Sequence, residues 1–434
     1  MGVERTQTRV RYLVLAFGVC LAAITYLDRV CISITAQQMM QDLHLSPVQM
    51  SLVFSAFTLA YALFEIPTGW WGDRVGTRKV LTRIVVWWSS FTIATAASFS
   101  YHSLLAVRFL FGAGEAGAWP NIARTFSRWF PATERGTAQG IFFMGAHLAG
   151  GITPLLVAAM LQVMHWRMVF VVFGAIGFVW AFAWYRWFRD NPEDHPAVSE
   201  SEVALISKGR APAAGHDLDR RRWKILLSDR NLWLLCTMYF AQCYGFYFYI
   251  TWLPSYLEKV RGFSSATLGV MAGLPLMLSV LADLFGGVTT DRAVRRFGLR
   301  IGRAGVGAAS FFAASIAMIA GTAVSDPVVS GICIALAAAS SNFALGAAWG
   351  CCIDIGGSHS GVVSACMNTA GQVGGVLSPI ILAQVVQHSS DWMAPLYLTG
   401  VLYLMGAICW SFVNPNRPIW DESHEKSSVR AVTY

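Results

Sequence analysis

Gly69-Trp70-Trp71-Gly72-Asp73-Arg74-Val75-Gly76-Thr77-Arg78-Lys79 places one acid, three basic residues and three glycines between two long apolar runs. The pattern returns 218 residues later, as Gly286-Gly287-Val288-Thr289-Thr290-Asp291-Arg292-Ala293-Val294-Arg295-Arg296-Phe297-Gly298. Each copy follows the second of six apolar stretches and precedes the third. A repeat at half the chain length implies two similar six-helix halves around a central cavity. Gly76 is expected to supply a tight turn. Asp73, placed near a neighbouring helix end, and Arg74 and Arg78, placed near carbonyls, would lock one end of the cavity. Asp291 and Arg292 would do the same in the second copy.

Twelve apolar stretches surround these loops, at about 12–34, 49–71, 80–99, 104–125, 137–160, 168–188, 231–256, 265–287, 304–324, 327–349, 361–385 and 393–413. Each is long enough to cross a bilayer as a helix. The fold class expected is an all-α membrane protein: residues 1–188 form one half, 189–230 a linker, 231–413 the second half and 414–434 a tail. Only 13% of the 434 residues are charged, against about 25% in soluble domains, and mean hydropathy is +0.51. The basic segment Met1–Arg11 shows no leader cleavage site.

Of 32 Lys and Arg, 27 fall on the side that holds both termini and the linker. Three lie opposite (Arg167, Lys259, Arg261), and Arg29 and Arg108 lie within the membrane. That asymmetry makes both termini cytoplasmic. It also accounts for the net charge of +8 without nucleic acid. The partner of this surface is the lipid bilayer, and the run Arg220-Arg221-Arg222 anchors the linker. Nearly all nine cysteines lie in apolar stretches without metal-ligand spacing, so no metal or other cofactor is expected.

Ionisable residues inside the stretches mark the site, because charge at that depth is kept only where it meets a partner or lines a cavity. Asp28 and Arg29 sit in the first stretch, about 100° apart on a helix, so they do not simply pair with each other. Arg108 and Glu115, seven residues apart in the fourth, share a face about 10 Å apart along the axis. All four can converge in the N-terminal half.

Four pieces then resemble the anion:cation symporter family of the major facilitator superfamily. They are Tyr26-Leu27-Asp28-Arg29, Arg108-Phe109-Leu110-Phe111-Gly112-Ala113-Gly114-Glu115-Ala116-Gly117-Ala118-Trp119-Pro120, Trp166-Arg167, and Asn191-Pro192-Glu193-Asp194-His195-Pro196. The two loops resemble the superfamily signature. The resemblance implies a secondary active transporter of the bacterial inner membrane, monomeric and not an enzyme. It would import an organic anion, a sugar acid or small carboxylate, by proton symport. Na⁺-coupled or uncoupled transport of another anion, such as an aromatic acid, and a nutrient sensor on a transporter fold are the alternatives.

Residue roles follow from the same physics. An anion in a low-dielectric cavity needs a fixed cation, and the guanidinium fork fits a carboxylate. Arg29 is expected to bind substrate, Asp28 and Glu115 to carry protons, and Arg108 to be Glu115's switchable partner. A fixed ion-pair network joining two helices is the bland alternative. Tyr26, Tyr61 and Tyr247 offer hydroxyls. His147 stands where related carriers often have an amide, and is expected to bind substrate or titrate. Asn368 and Gln372, four apart, share a helix face suited to hydroxyl recognition. Asp283 and Glu65, near the ends of their stretches, are expected to make gate or loop contacts.

Overall fold

The computed structural model describes residues 8–207, 218–263, 265–389 and 391–420. Every regular element among them is helical. The N-terminal half holds α1 (Val10–Asp42), α2 (Pro47–Val75), α3 (Thr77–Ala96), α4 (Tyr101–Glu115), α5 (Ala118–Trp129), α6 (Arg135–Leu161) and α7 (Trp166–Trp187). The linker forms a 3₁₀ turn at Pro192–Asp194 and helices α8 (Glu200–Ser207) and α9 (Arg220–Ser228). The second half holds α10 (Arg230–Thr251), α11 (Leu253–Lys259), α12 (Ser265–Leu299), α13 (Val306–Ala323), α14 (Pro327–Phe343), α15 (Leu345–Gly356), α16 (Ser360–Ser389) and α17 (Met393–Phe412).

Seven segments among the described residues are long and apolar enough to cross a membrane by length and composition alone. Two of these, of 57 and 60 residues, each contain two crossings. The other three expected stretches correspond to α3 and to the broken pairs α4/α5 and α10/α11. The fourth and tenth stretches are each interrupted, at Ala116-Gly117 and at Ala344. The linker, expected to be a plain polar connection, is partly helical. The tail beyond residue 420 lies outside the described residues.

Local chemistry sets the helix starts. Ser46 and Gln49 form a capping box ahead of α2, with Pro47 in its first turn. Asp229 caps α10 and Asp326 caps α14, each accepting from a backbone N–H three residues on. Large apolar side chains such as Leu155, Val179 and Phe182 are exposed on the outer faces, the surface that lipid covers. The halves meet mainly along α2 with α16 and α6 with α12. Each of these four helices carries an internal proline: Pro67, Pro154, Pro275 and Pro379.

The repeated loops clasp the halves together. Asp73 accepts from the N–H groups of Gly361 and Val362 at the start of α16 (3.0 and 2.8 Å) and pairs with Arg124 at 3.3 Å. Asp291 accepts from Gly136 and Thr137 at the start of α6 (3.0 and 2.5 Å) and pairs with Arg303 at 3.0 Å. Each half therefore sets a carboxylate on the positive end of a helix belonging to the other. Asp354 joins the set through Arg135 (2.6 Å) and Arg303 (2.9 Å). A Cβ on Gly287 would lie 2.4 Å from the Gly136 carbonyl, so this contact needs glycine.

The turn glycines have positive φ, 94° at Gly76 and 83° at Gly298. Gly298 stands four residues further from its aspartate than Gly76 does, one added helical turn. Arg78 reaches the Tyr185 carbonyl at 2.9 and 2.6 Å, within its own half rather than across the gate. Arg74 lies over the Trp70 ring. Arg292, expected in the gate, is exposed; the cation that meets Asp291 is Arg303, carried on the π-helical turn Arg300–Gly305.

At the same end, Glu202 of α8 is fully buried. It accepts from Thr8 Oγ1 (2.6 Å), from the backbone N–H groups of Val10 and Arg11, and from the Arg11 guanidinium (2.9 Å). The linker thereby caps α1. Glu202→Ala leaves Arg11 with Glu134 as its remaining acid and should cost about 2–3 kcal/mol, seen as a lowered Tm of the detergent-solubilised protein. An unchanged Tm would refute the cap. Asp291→Asn should speed hydrogen exchange at the Gly136 and Thr137 amides roughly tenfold or more, and Asp73→Asn at Gly361 and Val362. Unaltered protection at those amides would show that the clasp does not depend on the carboxylates.

Candidate functional site

Between the halves lies a cavity of about 80 Å³. Tyr26 and Arg29 of α1, Trp119 of α5 and Phe143 and His147 of α6 line it from one half. Gln242, Cys243, Phe246 and Tyr247 of α10, Trp349 of α15 and Asn368 and Gln372 of α16 line it from the other. The walls are aromatic: Trp119 stacks on Phe143 with centroids 5.4 Å apart, and Phe143 meets Trp349 at 5.5 Å. Such walls suit a small solute held by a few polar groups.

The four charged residues expected to converge do so, with different partners. The Arg29 Nε donates to Glu115, and the guanidinium lies over the rings of Tyr61 (4.7 Å) and Phe57 (5.4 Å). The Arg29 side chain keeps 21% of its surface open, whereas Glu115 has none. Arg108, the expected partner of Glu115, does not hold it. Its guanidinium packs over Phe111 at 4.1 Å, and its Nε and Nη1 have no hydrogen-bond partner among the described residues. The cause is geometric. Arg29 enters from α1 directly opposite Glu115, while Arg108 lies two turns away along the same helix as that carboxylate. Asp28 is 1% exposed, with Arg108, Glu115 and Thr92 as its polar neighbours.

Glu65 and Asp283 also depart from expectation. Loop or gate contacts near the helix ends are expected of both; both instead lie at cavity depth and bond to the opposite half. Glu65 is fully buried and accepts from Asn368 and from Thr369 (3.3 Å). The Asn368 amide also approaches the Tyr61 hydroxyl at 3.5 Å. Asp283 Oδ2 lies 2.6 Å from His147 Nδ1. Helix continuity explains the shift: α2 and α12 run well past the apolar stretches, so residues near a stretch's end sit inside the helix.

Tyr247 lies 3.5 Å from Gln372, at the limit of a hydrogen bond. The ring of Tyr26 stands edge-on to His147, centroids 6.2 Å apart. Two amides escaped the sequence reading. Gln242 donates to Asn342 (2.9 Å), which donates to Ser279 (2.7 Å), and both amides face the cavity. The signal was present, since Gln242 and Asn342 are lone amides in apolar runs. Arg124, Arg135, Arg303 and Asp354 of the clasp were also missed. Among the described residues, no group of three or more His, Cys, Asp or Glu is placed to hold a metal ion.

Comparison with known proteins fits this geometry. Residues 18–379 match the model of the Major Facilitator Superfamily. A protein described as a probable sulfoacetate transporter, SauU of Cupriavidus necator, is 33% identical, covering 98% of this chain and 99% of its own. The probable galactarate/D-glucarate transporter GarP of Escherichia coli K12 is 30% identical over 93% of this chain and 94% of its own. Among solved structures, the proton:xylose symporter XylE superposes with a TM-score of 0.74 at 13% identity, covering 93% of this chain and 96% of that one. A single-residue variant of the fucose:proton symporter FucP of E. coli gives 0.71 at 14% identity, covering 94% of this chain and all of that one. The chain belongs to the major facilitator superfamily and is one of its organic anion transporters.

Proposed function

We propose that this protein carries a small organic acid inward together with protons. The observation that carries this reading is the charge balance at cavity depth. Among the described residues there, three buried carboxyl groups, Asp28, Glu65 and Glu115, stand against two guanidiniums, Arg29 and Arg108, and a fourth, Asp283, is paired with the His147 imidazole. Adding an anion to that set in a medium of low dielectric raises the charge imbalance, and protons entering with it remove the imbalance. Asp28, buried beside the Glu115 carboxylate, is the natural first holder of a proton.

Arg29 is the switch. It is held by Glu115 yet open on one side to the cavity. A substrate carboxylate arriving there competes with Glu115 for the same guanidinium. Glu115 released from Arg29 is a costly buried charge until it takes a proton. Substrate binding and proton uptake thus favour each other, which is the requirement for symport. Asn368, Gln372, Gln242 and Tyr247 offer donors and acceptors to hydroxyl groups. The relatives described as carriers of sulfoacetate and of galactarate or glucarate support a short acid as cargo. The positive-inside distribution puts the Asp73/Asp291 clasp at the cytoplasmic end. Its closure leaves the cavity to be loaded from outside.

Adding glucarate, galactarate or sulfoacetate to lightly buffered cells expressing the protein should alkalinise the medium. Asp28→Asn and Glu115→Gln should abolish that signal yet leave exchange of labelled solute within roughly tenfold of wild type. Arg29→Lys, which keeps the charge and loses the fork, should weaken binding about tenfold or more. Labelled uptake without proton movement would overturn the coupling.

A further inference from the structure

His147 and Arg29 stand on either side of Tyr26 in the same cavity. Arg29 follows Tyr26 by three residues, about 4.5 Å along α1, and the His147 ring lies 6.2 Å from the Tyr26 ring. His147 Nδ1 is fixed by Asp283 Oδ2 at 2.6 Å. An imidazole so held presents its other nitrogen, Nε2, to whatever the cavity contains. Asp283 is fully buried and its second oxygen has no partner among the described residues, so its charge serves the imidazole. With Nδ1–H donated to that carboxylate, a protonated ring offers a positively charged N–H on the cavity side.

We propose that the cavity takes a dianion. One acid group would sit on Arg29 and the second on His147 Nε2, with Asp283 as the positioning residue behind it. This rests on the organic-acid reading above and narrows it. Both anchors line the one cavity, Arg29 from α1 and His147 from α6, so a short carbon chain with an acid at each end can meet both. A monoacid of the same length leaves the charged Nε2–H facing a hydroxyl, a weaker partner. The arrangement also joins the halves, since His147 belongs to α6 and Asp283 to α12. A ligand on Nε2 therefore touches the α6–α12 contact directly.

The His147 ring meets Phe246 of α10 at 5.6 Å and Tyr26 of α1 at 6.2 Å, and its Nδ1 bonds to Asp283 of α12.

The test compares glucarate with gluconate, which share a carbon chain and differ at one end by a second carboxylate. Binding to the purified full-length protein is measured by thermal shift and by competition. Wild type should prefer glucarate by about tenfold or more. His147→Gln should remove the preference by weakening glucarate binding about tenfold more than gluconate binding. Asp283→Asn should reduce the preference, and gluconate binding reports whether each variant is folded. Equal binding of the two acids by wild type, or equal loss of both in His147→Gln, would overturn the dianion proposal and leave the organic-acid reading standing. Failure of every acid tried, sulfoacetate included, to bind wild type would overturn both.

Discussion

The Arg29–Glu115 ion pair links α1 to α4 deep in a low-dielectric interior. Breaking such a pair without replacing a partner costs about 3–5 kcal/mol. The surroundings are arranged around that constraint. Tyr61 and Phe57 lay their ring faces against the guanidinium, and Arg108 lies near enough to act on both Asp28 and Glu115. Glu115 is sealed while Arg29 is partly open, so only one member of the pair is available to an incoming anion. In the proposed cycle this pair is the contact that an arriving carboxylate would exchange.

The closed end follows a similar logic. Asp73 and Asp291 use charge-assisted bonds to helix starts, and each meets the first N–H groups of a helix in the other half. Backbone N–H groups at a helix start have no intrahelical acceptor, so the helix gives up no bond of its own to make this one. The bond also lapses cleanly when the ends separate and water replaces the carboxylate. A clasp of buried apolar side chains would expose its surface at each opening. One made of carboxylates and helix ends hydrates readily on both sides.

Much of this was legible in the sequence. The duplicated Asp-Arg loop implied two halves, the Lys and Arg asymmetry set orientation as an expectation, and Asp28, Arg29, Arg108 and Glu115 stood out because charge in an apolar run needs a reason. Pairing was less legible. Helical spacing placed Arg108 and Glu115 on one face, yet which cation reaches Glu115 depends on how the whole bundle sets α1 relative to α4, and no spacing encodes that. Glu65 and Asp283 looked peripheral because hydropathy ends before the helix does. Arg303 and Asp354 lie beyond any local window, since their contacts reach residues distant in the chain. His147 was visible as a departure, but its link to Asp283 spans 136 residues.

The prolines of the four helices at the interface have a further consequence. Each of Pro67, Pro154, Pro275 and Pro379 lacks the N–H that would bond to the carbonyl four residues earlier, on Leu63, Gly150, Met271 and Gly375. Each of these four helices therefore carries a gap in its ladder. Each also bears a cavity-depth polar residue within about two turns of that gap: Glu65, His147, Asp283 and Gln372. A bundle jointed in this way need not swing as two rigid blocks. The segments on either side of each joint can bend separately, which would let one mouth of the cavity seal while the other is still shut and enclose the solute between them.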